Sequence, residues 1–254
     1  MVCLVSHSSH SETLRKELDL VKKLIHLLIA ATAVACLLSG IAAAAPSFLN
    51  TTGSILTPDD LLLGPGDFSA SFHSFDFTNN ASTMGASIGV TDNLELGIAR
   101  FDPGAGADEE TLLSGKYLLL AETATTPSVV IGVIDATGEI DPDDDSSYYV
   151  VLGKNLTPAA TGLTGEPVPP IRGFVGIGGG IYNGIFAGLN WTISSRVKVM
   201  AEFINELNIK NAIVEDSVFN AGVRIALTNE IRGDLAMING EDFAFGISYT
   251  KLGL

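Results

Sequence analysis

Cysteine and long hydrophobic runs are missing from this 254-residue chain beyond its first 45 residues. The two cysteines, Cys3 and Cys36, both precede that point, so the remainder has no thiol from which to form a disulfide. No later run is long and apolar enough to form a transmembrane helix. Stability beyond residue 45 must therefore come from packing and backbone pairing.

Basic residues are also scarce. The chain has 14 Lys and Arg against 29 Asp and Glu, which gives a net charge of −15. Four of the basic and three of the acidic residues precede residue 46, so the remainder carries 10 basic and 26 acidic residues and a net charge of −16. A nucleic acid is an unsuitable partner for so acidic a chain.

The one long hydrophobic block runs from Leu24 to Ala45, after Lys22 and Lys23 and before Pro46. A basic start, an apolar centre and a small-residue end predict a signal peptide over residues 21–45, with cleavage after Ala44 preferred. The alternatives are a membrane-anchoring helix and lipidation at Cys36. Residues 1–20 carry mixed charges without a role in export, and we interpret them as a mis-annotated extension ahead of a true start at Val21.

The rest of the chain repeats a period of two. Phe243, Phe245, Ile247 and Tyr249 share one face of a strand, and Asp242, Ala244, Gly246, Ser248 and Thr250 share the other. After an irregular lead-in at 46–66, a β-domain over 67–254 is predicted. Its twelve strands are expected at 67–78, 82–90, 94–102, 112–121, 127–136, 146–155, 171–181, 184–193, 196–205, 216–227, 229–238 and 241–251.

The composition of the two faces distinguishes a membrane barrel from a soluble sandwich. One face is lipid-compatible throughout, as in Leu94, Leu96 and Ile98. The other is dominated by small residues with isolated charges, as in Glu95, Gly97 and Ala99, which suits a crowded or solvent-filled interior. We therefore predict an all-β, closed antiparallel up-and-down transmembrane barrel in the cell outer membrane. A secreted soluble β-sandwich that binds a ligand or adheres to a surface is the alternative.

Several turn-and-strand patterns resemble the YjbH-like outer-membrane barrel proteins. They are GPGDF at 64–68, VTDNLELGI at 90–98, TLLSGKYLL at 111–119, GVIDATG at 132–138 and YYVVLGKNL at 148–156. The resemblance implies an outer-membrane barrel without established catalytic residues, and a link to exopolysaccharide production or export with export proteins as partners. One departure is the C-terminus, Gly253 and Leu254, where outer-membrane barrels often end in an aromatic residue.

Two groups of charged residues are candidate sites. Asp141, Asp143 and Asp145 have the alternate-carboxylate spacing of a calcium loop but lack its glycine and closing glutamate, so we hypothesise weak binding of divalent cations at acidic outer loops. The alternation points six charges into the barrel: Glu95, Lys198, Glu202, Arg224, Arg232 and Asp234. They either line a pore and set its selectivity, or form an internal network that plugs and rigidifies the barrel. Lys198 and Glu202, like Arg232 and Asp234, lie on one face of a strand, near enough to join such a network with neighbouring strands.

Nothing in the sequence predicts catalysis or a cofactor. His73 is the single histidine after the signal, and Asp76 would lie on the opposite face of its strand, so a serine-hydrolase triad does not assemble. The sequence thus predicts a non-catalytic outer-membrane barrel that contacts outer-membrane lipid and acts as a passive channel or as a structural component of the envelope.

Overall fold

A computed structural model describes residues 44–75, 80–165, 168–211 and 213–253 of the chain. The proposed extension at 1–20, most of the predicted signal peptide and Asp76 lie outside these ranges. Within them, no helix has the length and apolar character needed to cross a membrane.

Twelve antiparallel strands form one closed sheet, in which each strand pairs with its neighbours in sequence. The sheet closes where β1 pairs with β12, from Phe68 opposite Lys251 to Phe75 opposite Ala244. The strands are β1 (Phe68–Phe75), β2 (Ser82–Thr91), β3 (Leu94–Asp102), β4 (Glu110–Leu120), β5 (Ser128–Asp135), β6 (Ser147–Asn155), β7 (Ile171–Gly179), β8 (Gly184–Thr192), β9 (Val197–Ile209), β10 (Ile213–Ala226), β11 (Ile231–Ile238) and β12 (Asp242–Lys251).

The two faces of the strands have the predicted directions. In β12, Phe243 and Phe245 are 68% and 55% exposed on the outside, whereas Ala244 and Ser248 are each 2% exposed on the inside. Period-two alternation therefore separates a lipid-facing row from a lumen-facing row. The barrel prediction is confirmed, and the sandwich alternative is wrong because a single sheet closes on itself and turns its apolar face outward.

The connection between β6 and β7 contains a short helix, α1 (Thr157–Thr164). Pro158 stands in its first turn, where a proline costs no intrahelical hydrogen bond, and Gly165 ends it in the left-handed region with φ 74°. The short connections at 92–93, 193–196 and 227–230 lie at the same end of the barrel as α1, which we call the α1 end. The opposite end carries the acidic loops and is called the acidic end.

Strands β9 and β10 extend further toward the acidic end than predicted. Leu207 and Ile209 in this extension are buried. The backbone N–H of Asn208 donates to the carbonyl of Ile181, and that of Lys210 donates to the carbonyl of Ile140. Neighbouring loops thus cover the hairpin, and tertiary contacts continue the strands past the point where the alternation ends.

Large rings inside the barrel lie over glycines of the adjacent strand. Phe174 faces Gly188, and Phe186 faces Gly176, each pair being direct cross-strand partners. A Cβ added at Gly188 or Gly176 would overlap the facing ring. The small residues of the inner face therefore make room for aromatic side chains that fill the lumen.

We expect Gly188→Ala to lower the free energy of unfolding by about 1–3 kcal/mol, because Phe174 must leave its position in a packed interior. Gly233→Ala is the control, since its Cβ would meet atoms no closer than 3.7 Å. Urea unfolding of the refolded barrel, followed by heat-modifiable gel mobility, measures both. Equal stability of the two variants would contradict the packing argument.

Candidate functional site in the barrel lumen

Residues 44–63 run inside the barrel, and we call them the lumen segment. Every residue from Ala44 to Asp60 is buried, although this stretch belongs to no strand. Two isolated bridges, from Pro46 to Thr52 and from Gly53 to Pro58, fold the segment on itself. The sequence predicted an irregular lead-in here but not its insertion into the lumen.

Glu202 of β9 holds the middle of the lumen segment. Its carboxylate accepts hydrogen bonds from the backbone N–H groups of Ile55, Leu56 and Thr57 at 3.1, 2.8 and 3.2 Å. The Thr57 hydroxyl and the Asn220 amide also donate to it, at 2.6 and 2.8 Å. A 1%-exposed carboxylate is thus satisfied almost entirely by the inserted segment.

Glu95 and Lys116 hold the segment from the other side of the lumen. Glu95 of β3 accepts from the Thr52 and Leu63 backbone N–H groups at 3.1 and 2.9 Å. Lys116 of β4, its direct cross-strand partner, donates to the carbonyls of Thr52 and Leu61 at 2.7 and 2.6 Å. Lys116 was missed by the sequence analysis, although it shares the inward row of its strand with the buried Leu112.

Arg224 of β10 binds the start of the segment. Its guanidinium donates to the carbonyls of Pro46, Gly53 and Ser54 at 2.8, 3.3 and 3.2 Å. It also forms an ion pair with Asp234 of β11, with 2.6 Å between Nε and Oδ1, and both side chains are at most 3% exposed. One buried cation therefore links the barrel wall to three carbonyls of the segment.

The remaining inward charges differ in the partners that the structure gives them. Asp234 pairs with Arg224 rather than with Arg232, and its second oxygen lies 3.5 Å from Nε2 of His73. Among the described residues, Lys198 makes no ion pair with Glu202 or with any other carboxylate. All six predicted residues face inward, but their role as the lining of a conducting pore stays a prediction.

A second charge network closes the α1 end of the segment. Arg172 of β7 donates to Asp60 through Nε at 2.8 Å and to Glu122 through Nη1 at 2.9 Å. Lys154 lies 3.4 Å from the same Glu122. Burial raises the pKa of Glu122, but the Asn155 amide and the Arg172 guanidinium hold the pKa below its ordinary value. Sequence reasoning did not single out these residues.

The acidic loop at 136–146 uses its central carboxylate internally. Asp141 is 4% exposed, and its Oδ1 accepts from the backbone N–H groups of Asp143 and Asp145 at 2.9 and 3.3 Å. In the part of the chain that the structure describes, no three His, Cys, Asp or Glu side chains come close enough to hold a metal ion. Divalent-cation binding at Asp141, Asp143 and Asp145 stays a prediction without a preformed site.

His73 does not lie in an accessible active site. Its ring is fully buried at 4.4 Å between centroids from Phe48 of the lumen segment. A substrate could reach this histidine only after the segment had moved. The lumen is therefore filled, and charged side chains of the wall form hydrogen bonds with the backbone N–H and C=O groups of the lumen segment.

Comparison with known protein families and with curated proteins finds no match by sequence. Solved structures are similar in fold. The KdgM porin superimposes with a TM-score of 0.51 at 10% sequence identity, covering 71% of this chain and 98% of that chain. The outer membrane protein Omp33 of Acinetobacter baumannii superimposes with a TM-score of 0.42 at 10% identity, covering 74% and 98%.

A closed antiparallel barrel with an even number of strands, an apolar outer surface and a polar interior is the architecture of bacterial outer-membrane proteins. The likeness to the KdgM porin extends to nearly the whole of that structure and shows the same fold. The chain is therefore an outer-membrane β-barrel protein with a porin-like fold.

Proposed function

We propose that the protein is a non-catalytic outer-membrane channel whose lumen is closed by its own lumen segment. The observation that carries this proposal is the complete burial of residues 44–60 inside the barrel. Eight-stranded barrels are filled by wall side chains, and sixteen-stranded barrels leave a channel. Twelve strands enclose more space than the wall fills here, and the segment occupies that space.

The way in which the segment is held supports a closure that can be released. The bridges of the segment are internal, so it adds no strand to the sheet. Its polar contacts with the wall are hydrogen bonds and ion pairs, most of them to side chains such as Glu202, Lys116 and Arg224, and its apolar contacts include the ring of Phe48 against Phe75 of β1. The segment can therefore leave the lumen without breaking the hydrogen bonds that pair one strand of the barrel with the next.

Lysine and arginine side chains hold carbonyls of the segment, and glutamates hold its N–H groups. A permanently solid barrel would be as well served by apolar side chains of the same volume, because buried charges repay their desolvation only with good partners. The mixed polar anchors thus favour a segment that exchanges between the wall and water. If the segment never leaves the lumen, the alternative to a channel is a structural role in the envelope.

The link to exopolysaccharide export rests on the YjbH-like resemblance alone. Neither the lumen contacts nor the fold comparisons add support for a polysaccharide or for export proteins as partners. That link stays a prediction of the resemblance.

Single-channel recording tests the proposed closure. The chain from Ala45 onward, called the complete chain below, is refolded and inserted into planar bilayers. A shortened variant that also lacks residues 46–60 is studied beside it. The complete chain is expected to insert with rare, small openings, and the shortened variant is expected to raise the mean conductance at least about tenfold, because the lumen is then bounded by twelve strands only.

A synthetic peptide of residues 45–63, added to the shortened barrel, should close it again, and a scrambled peptide of the same composition should not. Heat-modifiable mobility on gels verifies that the shortened variant has folded. A folded variant as silent as the complete chain, or a complete chain as conductive as the variant, would overturn the proposal.

A further inference from the structure

A cavity of about 120 Å³ lies at the α1 end of the lumen, between the lumen segment and strands β6 to β9. About 10–15 Å³ of this kind of volume holds one water molecule, so the cavity has room for a small polyatomic ion with some of its water. Its lining combines the polar side chains of Asn155, Arg172, Asn190, Thr192 and Lys198 with the apolar Leu61, Pro170 and Ile171, and most of the surface exposed to it is apolar.

Lys198 is the charged group of this cavity without a counter-charge. The other cation, Arg172, is paired with Asp60 and Glu122. Asp59 is 3.6 Å from Lys116 and accepts from Asn190. Among the described residues, none places a carboxylate within ion-pair distance of the Lys198 ammonium.

The wall beside Lys198 carries further positive charge. Arg224 is the direct cross-strand partner of Lys198, and Arg232 stands on the next strand, β11. A buried Nη1 of Arg232 has no hydrogen-bond partner, and neither has the hydroxyl of Ser248, the cross-strand partner of Arg232. Asp234 faces this group of three cations but already pairs with Arg224.

The α1 end of the lumen therefore holds two cations, Lys198 and Arg232, that carboxylates of the described wall do not neutralise. This is unusual in a chain whose net charge is −15. An unpaired buried donor is costly, and an oxyanion offers several strong acceptors at once. The Thr192 hydroxyl, which donates no hydrogen bond in the described structure, is a further donor in the same cavity.

We propose that this cavity binds a small soluble oxyanion, with phosphate and carboxylate groups as its chemical class and Lys198 as the principal charged contact. The inference deepens the proposed function, because it gives the sign of the charge that the α1 mouth of the channel prefers. Its role in permeation rests on that proposed function, but binding itself requires only the folded barrel.

Calorimetric titration of inorganic phosphate into the complete chain, refolded in a nonionic detergent without phospholipid, tests the site. The variants are Lys198→Met and Lys198→Arg. The matched control is Lys251→Met, because Lys251 is an exposed lysine at the same end of the barrel and points outward from β12. Since no conductance is measured, a failure of the channel proposal leaves this result unaffected.

Saturable phosphate binding is expected for the complete chain and for Lys251→Met. Lys198→Met should weaken it at least tenfold, and Lys198→Arg should retain most of it, because the positive charge is kept. Three results would overturn the site: no binding at millimolar phosphate, equal affinity in Lys198→Met, or binding that requires added phosphatidylglycerol. The last would identify a lipid head group as the source of the phosphate.

Discussion

Replacing Glu202 by leucine is expected to open the barrel. In the intact chain, its carboxylate accepts from three consecutive backbone N–H groups of the lumen segment. A leucine of similar size accepts none of them, and each buried N–H left without a partner costs about 1–3 kcal/mol. Even about 3 kcal/mol shifts the balance between inserted and released segment roughly a hundredfold.

Single-channel recording and limited proteolysis report this shift in two independent ways. Glu202→Leu should show frequent openings in bilayers, together with faster cleavage within residues 44–60. Glu202→Gln should show a much smaller change, since the amide keeps one oxygen acceptor for the segment.

Glu206→Leu is the matched control for Glu202→Leu. Glu206 lies on the same strand and hydrogen-bonds Asn183 and Asn208 at the acidic end, away from the segment. We expect this variant to stay closed. A Glu202→Leu barrel that remained both silent and protected from protease would show that apolar packing of Phe48, Ile55 and Leu56, not Glu202, holds the segment.

The sequence predicted the barrel well because its evidence is local and repeated. Within each strand, the alternation alone identifies the apolar and the polar face. A one-residue error of register would turn a row such as Phe243, Phe245 and Ile247 into the lumen. Twelve such segments therefore determine the number of strands and the side that faces lipid.

The lumen segment has no such signal. Its apolar residues, Phe48, Leu49, Ile55 and Leu56, occur in adjacent pairs between Ser and Thr, without a period that points to a partner surface. The wall that surrounds them includes residues far away in sequence, such as Arg224, which is 178 positions from its partner Pro46. A hint exists only when the cross-strand register is known, because Glu202 then faces Gly188 and Asn220 and has no charged neighbour to satisfy it.

The partners of the inward charges could not be predicted for a similar reason. Residues two apart on one strand are farther from each other than direct cross-strand partners, whose Cβ atoms are about 4.5–5.5 Å apart. Arg224 is the cross-strand partner of Asp234 and therefore takes its carboxylate. Sequence alone gives the face of each residue but not this register, so it predicted which charges meet the lumen without predicting their partners.

Removal of Arg224 is expected to produce the largest loss of stability among substitutions of the wall. Arg224→Met leaves Asp234 as a buried charge whose Oδ1 has lost its partner, and such half-broken pairs lose about 3–5 kcal/mol. The exposed pair of Arg100 with Glu109 provides the control, because Arg100→Met should cost no more than about 1 kcal/mol. Urea unfolding of the refolded barrels measures both variants.

The double variant Arg224→Met with Asp234→Leu separates the cost of the stranded charge from the loss of contacts with the segment. Most of the stability should return, because no buried charge is then left unpaired, although the carbonyls of Pro46, Gly53 and Ser54 still lack their donor. Acid should also help Arg224→Met alone, since protonation of the stranded Asp234 carboxylate removes the unpaired buried charge. If the double variant were as unstable as Arg224→Met and acid gave no recovery, the stability of this wall would come from the contacts of Arg224 with the lumen segment and not from its pairing with Asp234.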